Sequence, residues 1–146
     1  MKIIQATQNE LEPLVLLFNG YREFYGQPAD LEGAKAFLKE RLDLKESVIY
    51  LAQSEAGKWM GFTQLYPVFS SVSMERSWLL NDLFVHPNHR KKGVGEALID
   101  AAKQLCATTP AKGLLLETGS DNYPAQALYE KLDFHKEQTI FYFWKR

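Results

Sequence analysis

The stretch that most restricts this chain is a strand that ends abruptly, a basic turn, and a helix. Ser77 to Val85 reads as a strand, His86-Pro87-Asn88-His89 breaks it, and Arg90-Lys91-Lys92-Gly93-Val94-Gly95 opens a helix. Glycines there let the backbone turn tightly and bring bare amides close to a ligand. Amides at a helix start, together with the helix dipole, favour an anion. Arg90, Lys91 and Lys92 add positive charge, so the turn suits a pyrophosphate. It is not a dinucleotide fingerprint, because Leu98 stands where a third glycine is needed, and the Gly-Lys-Ser/Thr of a P-loop is absent. The competing reading is a tight turn with solvated basic side chains.

The rest of the chain supplies elements to surround that turn. Lys2–Gln5 reads as a short strand. Leu11, Leu14, Val15 and Phe18 recur at helical spacing and run into Tyr21–Tyr25, closed by Gly26 and Pro28. A second helix starts near Asp30, with Leu31, Ala34, Leu38 and Leu42 on one face. Ser47–Gln53 and Trp59–Phe69 read as a hairpin, with Pro67 marking an end, a bend or an edge. After Gly93 a third helix turns Val94, Ala97, Leu98, Ala101 and Leu105 inward. Leu114–Thr118 is a strand, Ala125, Leu128, Tyr129 and Leu132 form a short helix, and Phe134–Trp144 reads as a last strand. The order β-α-α-β-β-β-α-β-α-β predicts one mixed α/β domain over residues 1–146.

Charge and cysteine usage narrow the function classes. Seventeen basic against 18 acidic residues give a net charge of −1, which argues against a generally basic nucleic-acid binder. No apolar run reaches the roughly 18–20 residues of a membrane span, and MKIIQATQNE is not signal-like. The single cysteine, Cys106, excludes an intrachain disulfide framework. The expectation is a cytoplasmic protein without membrane or nucleic-acid partners. His86, His89 and His135 lack metal-ligand company, so no metal is expected, and Cys106 reads as an inert packed thiol. The Phe141-Tyr142-Phe143-Trp144 run is too aromatic for solvent and reads as core or as a homodimer interface.

Leu80-Asn81-Asp82-Leu83-Phe84-Val85-His86-Pro87-Asn88-His89-Arg90-Lys91-Lys92-Gly93-Val94-Gly95 resembles motif A of the GNAT N-acetyltransferase superfamily. Leu116-Glu117-Thr118 with Asn122, Ala125, Ala127-Leu128-Tyr129 and Phe134 resembles its motif B. The two cover about residues 78–134 in the family's order. Tyr21-Arg22-Glu23-Phe24-Tyr25-Gly26-Gln27-Pro28 and Phe62-Thr63-Gln64-Leu65-Tyr66-Pro67 are similar to a bacterial subgroup resembling yeast histone and polyamine acetyltransferases. One departure is Asp133, where members usually carry glycine before the motif B phenylalanine. Another is the short segment after Phe134, which leaves a sheet edge for a partner chain to complete.

The resemblance implies a central mixed, mostly antiparallel sheet, splayed between the fourth and fifth strands and flanked by four helices. It implies direct transfer from acetyl-CoA to a primary amine, with no metal. Leu83, Phe84 and Val85 would offer main-chain groups to the pantetheine arm, and Arg90, Lys91, Lys92, Gly93, Val94 and Gly95 would take the pyrophosphate. Asn122 is a further pantetheine contact. Tyr129 would protonate the departing thiolate. Glu117 is the first choice as base, through a water, and Asp82 the second. Tyr21, Glu23, Tyr25, Tyr66 and Asn81 are candidates to line the acceptor site. The acceptor is expected to be a small polyamine or an amino-acid-like amine. The alternatives are a protein N-terminus or lysine, and a non-catalytic acyl-CoA-binding sensor.

Overall fold

Local rules set most element ends. Thr7 and Glu10 form a reciprocal capping box ahead of helix α1 (Leu11–Phe24), with Thr7 N–H donating to Glu10 Oε2 at 2.9 Å. Asp30 caps α2 (Leu31–Asp43) by accepting from Gly33 N–H at 2.8 Å. The computed structural model describes residues 1–146, which pack as two compact units, Met1–Leu116 and Glu117–Arg146.

The first unit is built on a five-stranded sheet: β1 (Lys2–Gln5), β2 (Val48–Gln53), β3 (Trp59–Ser70), β4 (Glu75–Val85) and β5 (Ala111–Leu115), paired in chain order. β1 to β4 are antiparallel neighbours and β5 joins β4 in parallel. The β4–β5 ladder runs only from Arg76↔Ala111 to Leu79↔Leu115, so β4 beyond Leu79 has β3 alone beside it. That is the expected splay. Pro67 lies where β3 has passed the end of β2, and its missing N–H costs no ladder bond on that side.

α1 and α2 cover one face of this sheet. Leu11, Leu14, Val15, Phe18, Ala34 and Leu38 pack with Ile49, Leu51, Phe62 and Phe84. Leu42 is half-buried, and Leu31, expected inward, is 48% exposed because it begins the helix beyond the packed turn. The helix α3 (Val94–Thr108) covers the other face. Its buried stripe is Val94, Leu98, Ile99 and Ala102. Ala97, Ala101 and Leu105 are only half-buried, so the stripe is rotated from the expected one and buries the larger Ile99 side chain.

The second unit holds α4 (Tyr123–Lys131) and the chain after it. Asp133 takes the left-handed conformation (φ 64°) at the helix end. Its N–H donates to Glu130 O at 3.1 Å and Phe134 N–H donates to Tyr129 O at 3.0 Å, the paired bonds of a Schellman cap. The turn expected of glycine is therefore made with aspartate.

Two expected strands need correction. The fifth is Ala111–Leu115 rather than Leu114–Thr118, because its parallel ladder stops just before β4 bulges at Asn81. Glu117 thus lies off the strand. Phe134–Trp144 forms no strand, since its unit contains no other strand and an unpaired strand is unstable in water. Nor is the run core: Ile140 to Trp144 are 71–86% exposed.

Candidate active site

β4 carries the most unusual buried group of the first unit. Gln64 pairs with Asp82 and Leu65 with Leu80, which leaves Asn81 as the extra residue of a β-bulge. The bulge resets the alternation, so Asp82 shares a face with Phe84, Phe62 and Gln64, while Asn81 is exposed. Asp82 is 4% exposed and no lysine or arginine pairs with it. Its partners are neutral. Gln64 Nε2 donates to Oδ2 at 2.7 Å, Asn81 Nδ2 donates to Oδ1 at 3.1 Å, and the Tyr21 hydroxyl donates a third bond. Burial pushes the Asp82 carboxyl above its ordinary value, and the donors offset part of that rise.

The α1 aromatic segment lies against the same part of β4. The Tyr21 ring meets Phe62 edge-on at 5.9 Å and Phe84 at 6.4 Å. Gly20 lets this approach happen, since an added Cβ there would meet the Phe84 ring at 3.3 Å. Tyr66, half-buried on β3, has its phenol pushed up to about 12 by burial and by the Asp82 charge. The other two acceptor candidates differ. Tyr25 is exposed and packs edge-on to Tyr21 at 5.1 Å. The Glu23 carboxylate accepts from Asn19 Nδ2 at 3.0 Å, so it helps to hold α1.

The basic turn lies at the end of β4. Gly93 adopts φ 76° just before α3 and makes no side-chain cap, leaving the first-turn amides of α3 outside the helical ladder. A Cβ on Gly93 would meet nothing within 4 Å. Lys91 is also left-handed (φ 58°), and Arg90, Lys91 and Lys92 are exposed. Arg90 does more than offer charge: its Nε donates to Val85 O at 3.1 Å, and its guanidinium lies 5.5 Å from the Phe24 ring centroid. Lys92 Nζ donates to Asn88 O at 3.0 Å. Leu83 and Val85 are half-buried toward α3, and Phe84 is buried toward α1. Val94 is buried and Gly95 half-buried at the start of α3. Helix-start amides outside the ladder, an open glycine and three cations fit a pyrophosphate group.

In the second unit, Asn122 caps α4 by accepting from Ala125 N–H at 3.4 Å, which leaves its amide N–H groups to donate elsewhere. Tyr129 is half-buried and its ring lies 5.8 Å from Phe134, the contact that accompanies the Schellman cap. Glu117 is exposed. Two surface hollows of about 330 and 450 Å³, one between α1 and α2 and one beside the β2–β3 turn, include neither Asp82 nor the basic turn.

Comparison with known proteins decides what this arrangement belongs to. The model of the acetyltransferase (GNAT) family matches residues 14–134. This chain is a GNAT acetyltransferase. It is 50% identical to an uncharacterized N-acetyltransferase of Bacillus subtilis over 94% of this chain and 91% of that one. A probable acetyltransferase of Haemophilus influenzae is 36% identical over 84% of each chain. The crystal structure of a probable acetyltransferase superposes with a TM-score of 0.94 at 41% identity, covering 100% of this chain and 97% of that one. The GNAT family uses acetyl-CoA as its cosubstrate and transfers the acetyl group to amines. No helix of this GNAT chain is long and apolar enough to cross a membrane.

Gln64, which donates to Asp82, and Ser47, which donates to Gln64, were not singled out from the sequence. Gln64, in the middle of β3, and Ser47, just before β2, look like ordinary polar residues until their burial is seen. The one available signal was a glutamine in the interior of the expected strand Trp59–Phe69.

Proposed function

We propose that this GNAT enzyme acetylates a primary amine that approaches as its ammonium ion, with Asp82 receiving the proton. The supporting observation is the buried Asp82 carboxylate, which is hydrogen-bonded only to neutral groups and has no cation of its own. A buried carboxylate is costly unless paired, so the site favours a cation beside it. Its raised proton affinity brings it closer to neutrality, where a general base works best. Tyr21 and Tyr66 add aromatic faces that suit a cationic amine. Glu117, exposed in the second unit, becomes the second candidate, the reverse of the ranking from motif resemblance.

Acetyl-CoA supplies an acetyl group already activated as a thioester. The amine nitrogen forms the new C–N bond as the C–S bond breaks. Of the two protons the ammonium gives up, one passes to Asp82 and on to solvent. The other leaves the nitrogen as the C–S bond breaks and restores, through solvent, the Tyr129 phenol that has given its own proton to the departing sulfur. Leu83–Val85 main-chain groups, the turn Arg90–Gly95 and Asn122 hold the donor. Residues 1–146 act as one catalytic domain, a reading supported by a family match that crosses the boundary between the two packed units. A small polyamine or amino-acid-like amine is the acceptor. The exposed aromatic C-terminus is the contact of a homodimer. A lone thiol matches a cytoplasmic setting.

The test is an acceptor screen over polyamines, amino acids, aminoglycosides and short peptides, reading free thiol released from acetyl-CoA. Asp82→Asn and Tyr129→Phe should each lower kcat at least about 100-fold, in the range of general acid–base effects. Glu117→Gln should stay within about threefold. Full turnover by Asp82→Asn beside a dead Glu117→Gln moves the base to Glu117. Peptide acceptors alone being turned over replaces the small-amine reading with a protein substrate. No turnover with any acceptor, while acetyl-CoA still binds, favours a sensor.

A further inference from the structure

Gln64 is completely buried in the middle of β3, on the face it shares with Phe62. It stands in one cross-strand row, with Ile49 on β2 at one side and Asp82 on β4 at the other. An apolar side chain would fill this place without losing contact with water, so a buried amide here needs both of its ends satisfied. They are. Ser47 Oγ donates to Gln64 Oε1 at 2.9 Å, and Gln64 Nε2 donates to Asp82 Oδ2 at 2.7 Å. The direction is forced: a carboxylate only accepts, so the amide nitrogen must face Asp82, and the amide oxygen then needs the Ser47 proton. Ser47 is itself 8% exposed, so water does not readily replace it.

We propose that Gln64, held by Ser47, is a positioning residue that keeps the Asp82 carboxylate aimed and ready to accept a proton. This role rests on Asp82 being the base. Two hydrogen bonds pointing the same way polarise one another toward the acceptor, which favours its charged form. The donated proton also fixes Oδ2 to the sheet. Oδ1 accepts from the exposed Asn81, a more replaceable partner than Gln64. The other groups that face this carboxylate are Tyr21 from α1 and Tyr66 from β3. Arg41 of α2 and Glu46 before β2 act on Tyr66, and they are ion-paired with each other at 2.6 Å. Of the donors to this carboxylate, Gln64 alone is completely buried.

The experiment follows the Asp82 carboxyl by carbon NMR titration of the whole chain, with Asp82→Asn assigning the signal. The pH profile of kcat/KM is measured in parallel for wild type, Gln64→Leu and Ser47→Ala. In Gln64→Leu the carboxyl midpoint should rise by about one pH unit, a tenfold change in its acid constant. The acid limb of kcat/KM should move with it, while KM for acetyl-CoA stays put. Ser47→Ala should move both in the same direction by less. A folded Gln64→Leu with midpoint and limb unmoved overturns the proposal, and if that variant does not fold, an unmoved Ser47→Ala does so. Turnover and acid limb surviving in Asp82→Asn sink the reading of Asp82 as base, and this role with it, whatever the midpoint does.

Discussion

Burying Asp82 without a cation gives the folded state a pH dependence of known sign. Below the ordinary carboxylate value, about 3.9, the group is protonated in both folded and unfolded chains and costs nothing. As pH rises toward the higher folded value, the unfolded chain releases its proton first, so stability falls. Asp82→Asn removes this loss, because the new amide oxygen can take the Gln64 bond while the exposed Asn81 rotates away. The expected outcome is an inactive variant with a higher Tm than wild type at pH 7 and a gap that closes near pH 4. Thermal unfolding across that range, without ligand, checks it. A lower Tm at pH 7 would mean that the donors outweigh the desolvation. Cys106 belongs at the same scale: burial pushes its thiol up, which suits a packed side chain rather than a nucleophile.

Between elements, two backbone devices set the geometry. The bulge at Asn81 was not legible in the sequence, because the apolar, polar and apolar pairs of Leu79-Leu80-Asn81-Asp82-Leu83-Phe84 do not say which face each residue takes. Only pairing with β3 shows that Leu80 and Asp82 face opposite sides. The left-handed Gly93 was legible, because glycine before a helix after a broken strand has few other uses. Gly93→Ala adds a methyl that touches nothing in the protein, so its cost is backbone strain, about 1 kcal/mol. The variant should fold, keep kcat within about twofold, and raise KM for acetyl-CoA about five- to tenfold as the turn relaxes away from its anion geometry. Steady-state kinetics with the acetyl donor varied decide it, and an unchanged KM would detach Gly93 from donor binding.

For the whole molecule, Ile140–Trp144 is the outstanding surface feature: five consecutive apolar residues in water. A chain ending before Thr139 should sediment as a monomer where the full chain sediments as a dimer, and an unchanged state would remove the C-terminus from the interface. The same segment marks the limit of sequence reading. Periodicity, caps and glycines are local, and they determined β1 to β4, the four helices and the basic turn, since each depends on residues within a few positions of one another, while the two motif resemblances carried the family. A strand also needs a partner, and Phe134–Trp144, with strand composition but no strand in its own unit to pair with, did not become one. The Ser47–Gln64–Asp82 row was decided at that level too. Its members lie 17 and 18 positions apart in sequence, and only the registers of β3 against β2 and β4 remove their polar groups from water and turn them toward each other.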